Sequence, residues 1–166
     1  MGQSRPLIFL VEGDRAVGKR QSRLTVASDL SLMIQIQRWF EEFCLQQPRL
    51  SHWSDNRLYC LKLAIAEGFS NAVRHAHRHH PLDTPIEIEL SLKCDRLEIR
   101  IWDFGQPFNP EQVPEPEPGT LRLGGYGWFL LRRLCDRVTY HRDHYGRNCL
   151  LLEQALETPS DSLSPD

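Results

Sequence analysis

No apolar run in this chain approaches the ~20 residues needed to span a bilayer. The longest early run, Leu7 to Val11, stops at Glu12, which is too short for the apolar region of a signal peptide, and no small-residue cleavage site follows it. None of the five cysteines (Cys44, Cys60, Cys94, Cys135 and Cys149) are separated by only two residues, and their number is odd. No zinc ribbon, redox pair or disulfide scaffold is therefore readable, and reduced thiols in a cytoplasmic protein are expected. Neither sign of charge dominates: 20 Lys and Arg against 22 Asp and Glu leave a net charge of −2, which argues against a chain devoted to nucleic acid or an anionic membrane. No internal repeat is visible. What remains is 166 residues with 40% hydrophobic and 25% charged content, the make-up of one folded domain with modest extensions. We read residues 1–22 as an N-terminal extension, 23–156 as the domain, and 157–166, which is Ser, Pro and Asp with one Leu after Thr158, as a tail.

The elements follow from periodicity. Leu24 to Ala27 reads as a short strand, and Ser28 as an N-cap with Asp29 in the first turn. Leu32, Ile36, Trp39 and Phe43 then form a helical stripe to about Gln46, before Pro48. A second helix starts at Ser54 or Asp55 with the stripe Leu58, Leu61, Ile65, Phe69, Ala72 and Ala76. Its other face carries Cys60, Leu63, Ala64, Glu67 and Asn71, so two polar groups sit on a face that otherwise reads as interior. Beyond Pro81, Ile86 to Leu92 and Leu97 to Ile101 alternate apolar and polar residues, predicting an antiparallel hairpin with one buried face. The segment Gly105 to Gly125 holds Pro107, Pro110, Pro114, Pro116 and Pro118 and reads as a long loop of the kind that is functional or disordered. A helix from Gly127 to about Cys135 and a final hairpin, Arg137–Tyr140 with Asn148–Gln154 turning at His144 to Gly146, complete the chain. This order predicts an α+β two-layer sandwich, with a mixed, mainly antiparallel sheet and helices on one face.

Three places carry chemistry. Glu67 and Asn71, four apart, share a helix face: the carboxylate suits a general base, and the amide oxygen suits a hard cation such as magnesium. Asp103 ends an apolar strand, where its carboxylate can accept the exocyclic amine of a purine, and Gly105 beside it allows close approach. Gly124, Gly125 and Gly127 open a helix whose N-terminal amides favour phosphate. Taken singly, a satisfied polar pair, a strand-ending turn and a glycine hinge would account for them.

Together, in order, LAIAEGFSNAVRHAH, IWDFGQPFNP and GGYGWFLLRRLCDRV resemble the N, G1 and G2 boxes of the GHKL, or histidine-kinase-like, ATPase superfamily, and within it the anti-sigma factor serine kinase group. The resemblance runs over about residues 24–156. It implies the Bergerat-type ATP-binding fold, ATP and Mg2+ as cofactors, and phosphorylation of an anti-sigma factor antagonist of the STAS type. It extends to a sigma factor as a second partner and is compatible with a homodimer. By residue, it implies Glu67 as base toward a partner serine and Asn71 as magnesium ligand. Asp103, Gly105 and Phe108 would form the base site, and Gly124, Gly125 and Gly127 the phosphate-contacting glycines of a lid hinge, with Arg74 and His75 lining the nucleotide site.

The chain departs from the family pattern in three places. Tyr126 stands between glycines where a basic residue is common, Asn148-Cys149 replaces threonines, and Pro107 replaces a glycine. These departures motivate an alternative, a nucleotide-gated protein-binding module without kinase activity. Gly13, Gly18 and Lys19 after an apolar run also permit a P-loop reading with Asp103 as its second acidic motif, although Arg20 stands where Ser or Thr would be needed. His75, His77, His79 and His80 read as imidazoles favoured at a helix C-terminus rather than as a metal set.

Overall fold

The computed structural model describes residues 8–9, 20–107, 109 and 126–156. Six strands form one sheet: β1 (Ile8–Phe9), β2 (Gln21–Ala27), β3 (Pro85–Leu92), β4 (Arg96–Asp103), β5 (Arg137–Arg142) and β6 (Asn148–Ala155). Their spatial order is β1-β2-β3-β4-β6-β5, and every pairing is antiparallel. The sheet expected as mixed is thus antiparallel throughout the described residues. That topology also removes the P-loop reading, which requires a parallel βαβ unit; Gly13, Gly18 and Lys19 themselves lie outside the described residues.

The alternation read from sequence sets the faces. Ile86, Ile88, Leu90 and Leu92 of β3 and Leu97, Ile99 and Ile101 of β4 are buried, as are Leu150 and Leu152 of β6. They pack against Ile36, Phe40 and Phe43 of α1 (Met33–Leu45) and Leu61, Ala64, Ile65 and Phe69 of α2 (Asp55–Asn71) in one core, which Leu131 of α3 (Gly127–Leu134) joins. Each fully buried aliphatic or aromatic side chain contributes about 1.5–3 kcal/mol, so the helix–sheet layer dominates stability. Ser54 caps α2 as expected, its hydroxyl accepting the Arg57 N–H.

The first helix starts differently. Asp29, not Ser28, is the cap: its Oδ1 accepts the Ser31 N–H at 2.8 Å and opens a short 3-10 turn, Leu30–Leu32, ahead of α1. Ser28 is buried and its hydroxyl faces the ring of His77. β2 begins three residues before Leu24, and β1 pairs with it through the backbone (Ile8 opposite Val26). β1 lies within the apolar run Leu7–Val11, but its pairing uses main-chain groups, so the side-chain pattern does not show which strand it joins.

The sheet face away from the helices carries paired charge. Glu98, 3% exposed, accepts from Arg96 and Arg100. Burial alone would raise its pKa, but the hydrogen bonds and charges of Arg100 and Arg96 outweigh it and hold the carboxyl below its ordinary range. Arg147 stacks on Trp102 at 4.5 Å. All five cysteines are unpaired, and burial pushes the thiols of Cys44, Cys135 and Cys149 up to about 12, so these three stay protonated and unreactive. Among the described residues no helix is long and apolar enough to cross a membrane.

Candidate nucleotide site

The two layers leave a pocket of about 650 Å³ between the end of α2, the end of β4 and the start of α3. Its inner wall is apolar, built from Ile101, Leu131, Tyr140 and Leu150; Glu67, Asn71, Arg74, His75 and Asp103 bring polar groups to it. A largely apolar cleft of this size with a few convergent polar groups suits a small ligand.

One wall is the end of α2. After Asn71 the helix widens into a π turn, Ala72–Ala76, closed by the His77 N–H donating to the Ala72 carbonyl at 2.8 Å. π turns concentrate at functional sites because the extra residue re-aims side chains. Here the turn carries Arg74 and His75, both exposed and both lining the pocket. Glu67 and Asn71 are half-buried a turn earlier. Among the described residues, neither Glu67 nor Asn71 has a hydrogen-bond or ion-pair partner.

Gly127 faces them at the first position of α3. A Cβ there would overlap Glu67 Oε1 and stand 3.3 Å from Asn71 Nδ2. Two segments 60 residues apart therefore meet because position 127 has no side chain.

The opposite wall is Asp103, 5% exposed. Its Oδ1 accepts the Gly105 N–H at 2.8 Å and Asn148 Nδ2 at 2.7 Å. Asn148 lies directly across from Asp103 in the β4–β6 register, and its Nδ2 also donates to the Gly105 carbonyl at 3.0 Å. Both contacts of Nδ2 are acceptors, so the amide orientation is determined. Oδ1 of Asp103 is thereby occupied, and its second oxygen has no partner among the described residues. Gly105 does not line the pocket. It supports Asp103 from behind, packed so closely on the next element that a Cβ would overlap the Ala76 carbonyl and Cα.

The structure thus brings Glu67, Asn71, Arg74, His75, Asp103 and Gly127 to one pocket, with Gly105 beneath it. Phe108, Gly124 and Gly125, and most of the long loop from Gly105 to Gly125, lie outside the described residues. Two residues that organise the site were not singled out for it from sequence. Asn148 was visible only as a departure from threonine. His77 was grouped with its neighbours, yet His75, His79 and His80 are exposed and His77 is buried. No set of three or more His, Cys, Asp or Glu able to hold a metal occurs among the described residues.

A carboxylate-bearing helix face, a strand-end aspartate and a glycine-led helix surround one pocket, the arrangement expected from the ordered segments. Residues 26–153 match the histidine kinase-like ATPase domain, and the chain belongs to that family. Its relatives include serine-protein kinase RsbW of Oceanobacillus iheyensis, 32% identical over 109 residues, 61% of this chain and 68% of that one. RsbW of Listeria innocua is 34% identical over 92 residues, 50% of this chain and 57% of that one, and RsbW of Staphylococcus aureus is 31% identical over 90 residues. The chain thus spans between just over half and two-thirds of the length of these relatives. The fold is shared with the crystal structure of the RsbU and RsbW domains of Rv1364c from Mycobacterium tuberculosis, at a TM-score of 0.57 and 15% identity over 82% of this chain and 33% of that one.

Proposed function

We propose that the chain is an ATP-dependent serine/threonine protein kinase that acts as an anti-sigma factor-like regulator, phosphorylating an anti-sigma factor antagonist of the STAS type in bacterial partner switching. A sigma factor as second partner, a homodimer as the working form and a cytoplasmic setting belong to the same reading. The observation that carries it is the Glu67 carboxylate, without a hydrogen-bond or ion-pair partner among the described residues, held against Gly127 and next to Asn71, in the pocket that Asp103 shares. The names of the RsbW relatives support it.

In this reading Asp103 accepts the purine amine through the oxygen that Asn148 and Gly105 leave free. The backbone amides at the start of α3 and the Arg74 guanidinium face the phosphates. Asn71 offers an amide oxygen without a partner among the described residues, a donor that fits Mg2+ together with water and phosphate oxygens. The metal would neutralise charge on the phosphates. Glu67 takes the proton of the docked serine hydroxyl as its oxygen bonds to the γ-phosphorus; the bond from that phosphorus to the β-phosphate oxygen breaks and ADP leaves. Little covalent chemistry is asked of the protein, and positioning supplies most of the rate.

Asp103→Asn replaces one acceptor oxygen by a donor. ATP affinity is expected to fall at least ~100-fold, since a mispaired buried polar group costs about 1–3 kcal/mol and the lost charge-assisted bond adds to it. Titration calorimetry checks this, with Lys19→Ala as a control expected to bind normally. Loss of binding in Lys19→Ala alone would contradict the site. Binding without transfer is the second reading, favoured by Tyr126, which lines the pocket beside Gly127 where a basic residue would face phosphate.

A further inference from the structure

His77 joins three parts of the chain. It follows the π turn and is 3% exposed. Its Nε2 accepts the Phe104 N–H at 3.0 Å. A backbone N–H only donates, so Nε2 carries the lone pair and the proton sits on Nδ1, 3.2 Å from the Ser28 hydroxyl at the end of β2, to which it donates. The three residues of the base-site turn are thus held from three sides: Asp103 by Asn148, Phe104 by His77, and Gly105 by packing on Ala76. Of these three outside partners, Asn148, His77 and Ala76, only His77 carries a titratable side chain.

We propose that His77 is a positioning residue for the base-binding turn Asp103–Gly105: in its neutral, Nδ1-protonated form it holds the Phe104 amide so that Asp103 faces the base, and nucleotide affinity is lost when Nε2 takes a proton. This rests on the reading of Asp103 as the acceptor for a purine amine. Protonated Nε2 would present a hydrogen to the Phe104 N–H, leaving two donors face to face and the turn free to shift. The groups facing the ring are the Ser28 hydroxyl from β2, the Phe104 amide and Asp103 carboxylate from β4, and His80, stacked at 5.1 Å from the same turn. Burial opposes the cation most, Asp103 favours it and His80 opposes it; the balance lowers the pKa below its ordinary value. The folded protein therefore holds His77 neutral at neutral pH. Its contribution to stability is present above the unfolded value of ~6.5 and is lost as pH falls toward the lower folded value. Nucleotide affinity falls as pH passes through that folded value.

The test is ATP affinity of the full chain between about pH 5 and pH 8, with magnesium, for wild type, His77→Gln and His77→Leu. Every other titrating group, the ATP phosphates included, is common to all three, so the ratio of wild-type to His77→Gln affinity isolates His77. Glutamine keeps a non-titrating acceptor near the position of Nε2. At about pH 7.5, His77→Gln should bind within ~3-fold of wild type and His77→Leu ~10-fold more weakly, because its Phe104 amide is left unpaired. The ratio should then fall as pH drops through the lowered folded value of His77. A flat ratio overturns the proposal, as does wild-type affinity in His77→Leu. Should His77→Leu fail to fold, imidazole 15N spectra of the wild type decide instead: a proton on Nε2 at about pH 7.5 overturns the proposal, and one on Nδ1 with a falling ratio supports it. A wild type that binds no ATP at any pH removes the nucleotide reading, and this proposal with it; ATP binding with a flat ratio removes His77 alone.

Discussion

Glu67→Ala is expected to lower phosphoryl transfer to a serine-bearing antagonist by 10²–10⁴-fold while leaving ATP affinity within about threefold, the usual scale for loss of a positioned general base. The separation follows from geometry. The carboxylate has no hydrogen-bond or ion-pair partner among the described residues, so its removal orphans nothing, and the base-site contacts of Asp103 are made by Gly105 and Asn148 instead. Glu67→Gln, which keeps the shape and loses the basicity, should behave like alanine in transfer. The check is a single-turnover assay with γ-labelled ATP beside a binding titration. Undiminished transfer in Glu67→Ala would remove Glu67 as the base.

The two close-packed glycines give the second large effect, and they should fail in different ways. Gly105→Ala places a methyl against the carbonyl and Cα of Ala76, backbone atoms that cannot rotate aside. Overpacking of this kind costs about 1–3 kcal/mol, which corresponds to a melting temperature lower by ~2–12 °C for a chain of this size. Because the displaced residue is next but one to Asp103, ATP affinity should fall with it. Gly127→Ala instead meets the end of a flexible side chain, Glu67 Oε1. The carboxylate can swing away, so stability should change by less than about 1 kcal/mol while transfer falls ~100-fold, the cost of a base misplaced by about an ångström. Melting curves and transfer rates measured on both variants check the contrast. Equal destabilisation by the two would mean that Glu67 is locked in place rather than free to act.

Where side-chain pattern determines structure, the sequence was legible. The period-two runs of β3 and β4, the Ser54 cap of α2 and the shared face of Glu67 and Asn71 all appear as read, because burial on one face writes itself into the spacing of apolar residues. Features made by the backbone were not. The pairing of β1, the start of β2 at Gln21 and the π turn after Asn71 rest on main-chain hydrogen bonds that many side chains permit. Ser28 and Asp29 are both good caps, and only the fold shows that Ser28 is committed to His77. Asn148 and His77 act across 45 and 27 residues of chain, and no local spacing carries such contacts. Glu67, Asn71 and Asp103, singled out from sequence, come together at one pocket, whereas the residues that hold Asp103 in place are visible only in the fold.

Phosphoryl transfer from this pocket is tested most directly by incubating the chain with γ-labelled ATP, magnesium and a STAS-type antagonist and mapping the label. Label is expected on a serine or threonine of the antagonist, lost with Glu67→Ala and with Asp103→Asn. ATP bound by the chain, with the antagonist associated and no label on it, would contradict transfer and leave a nucleotide-gated binding module.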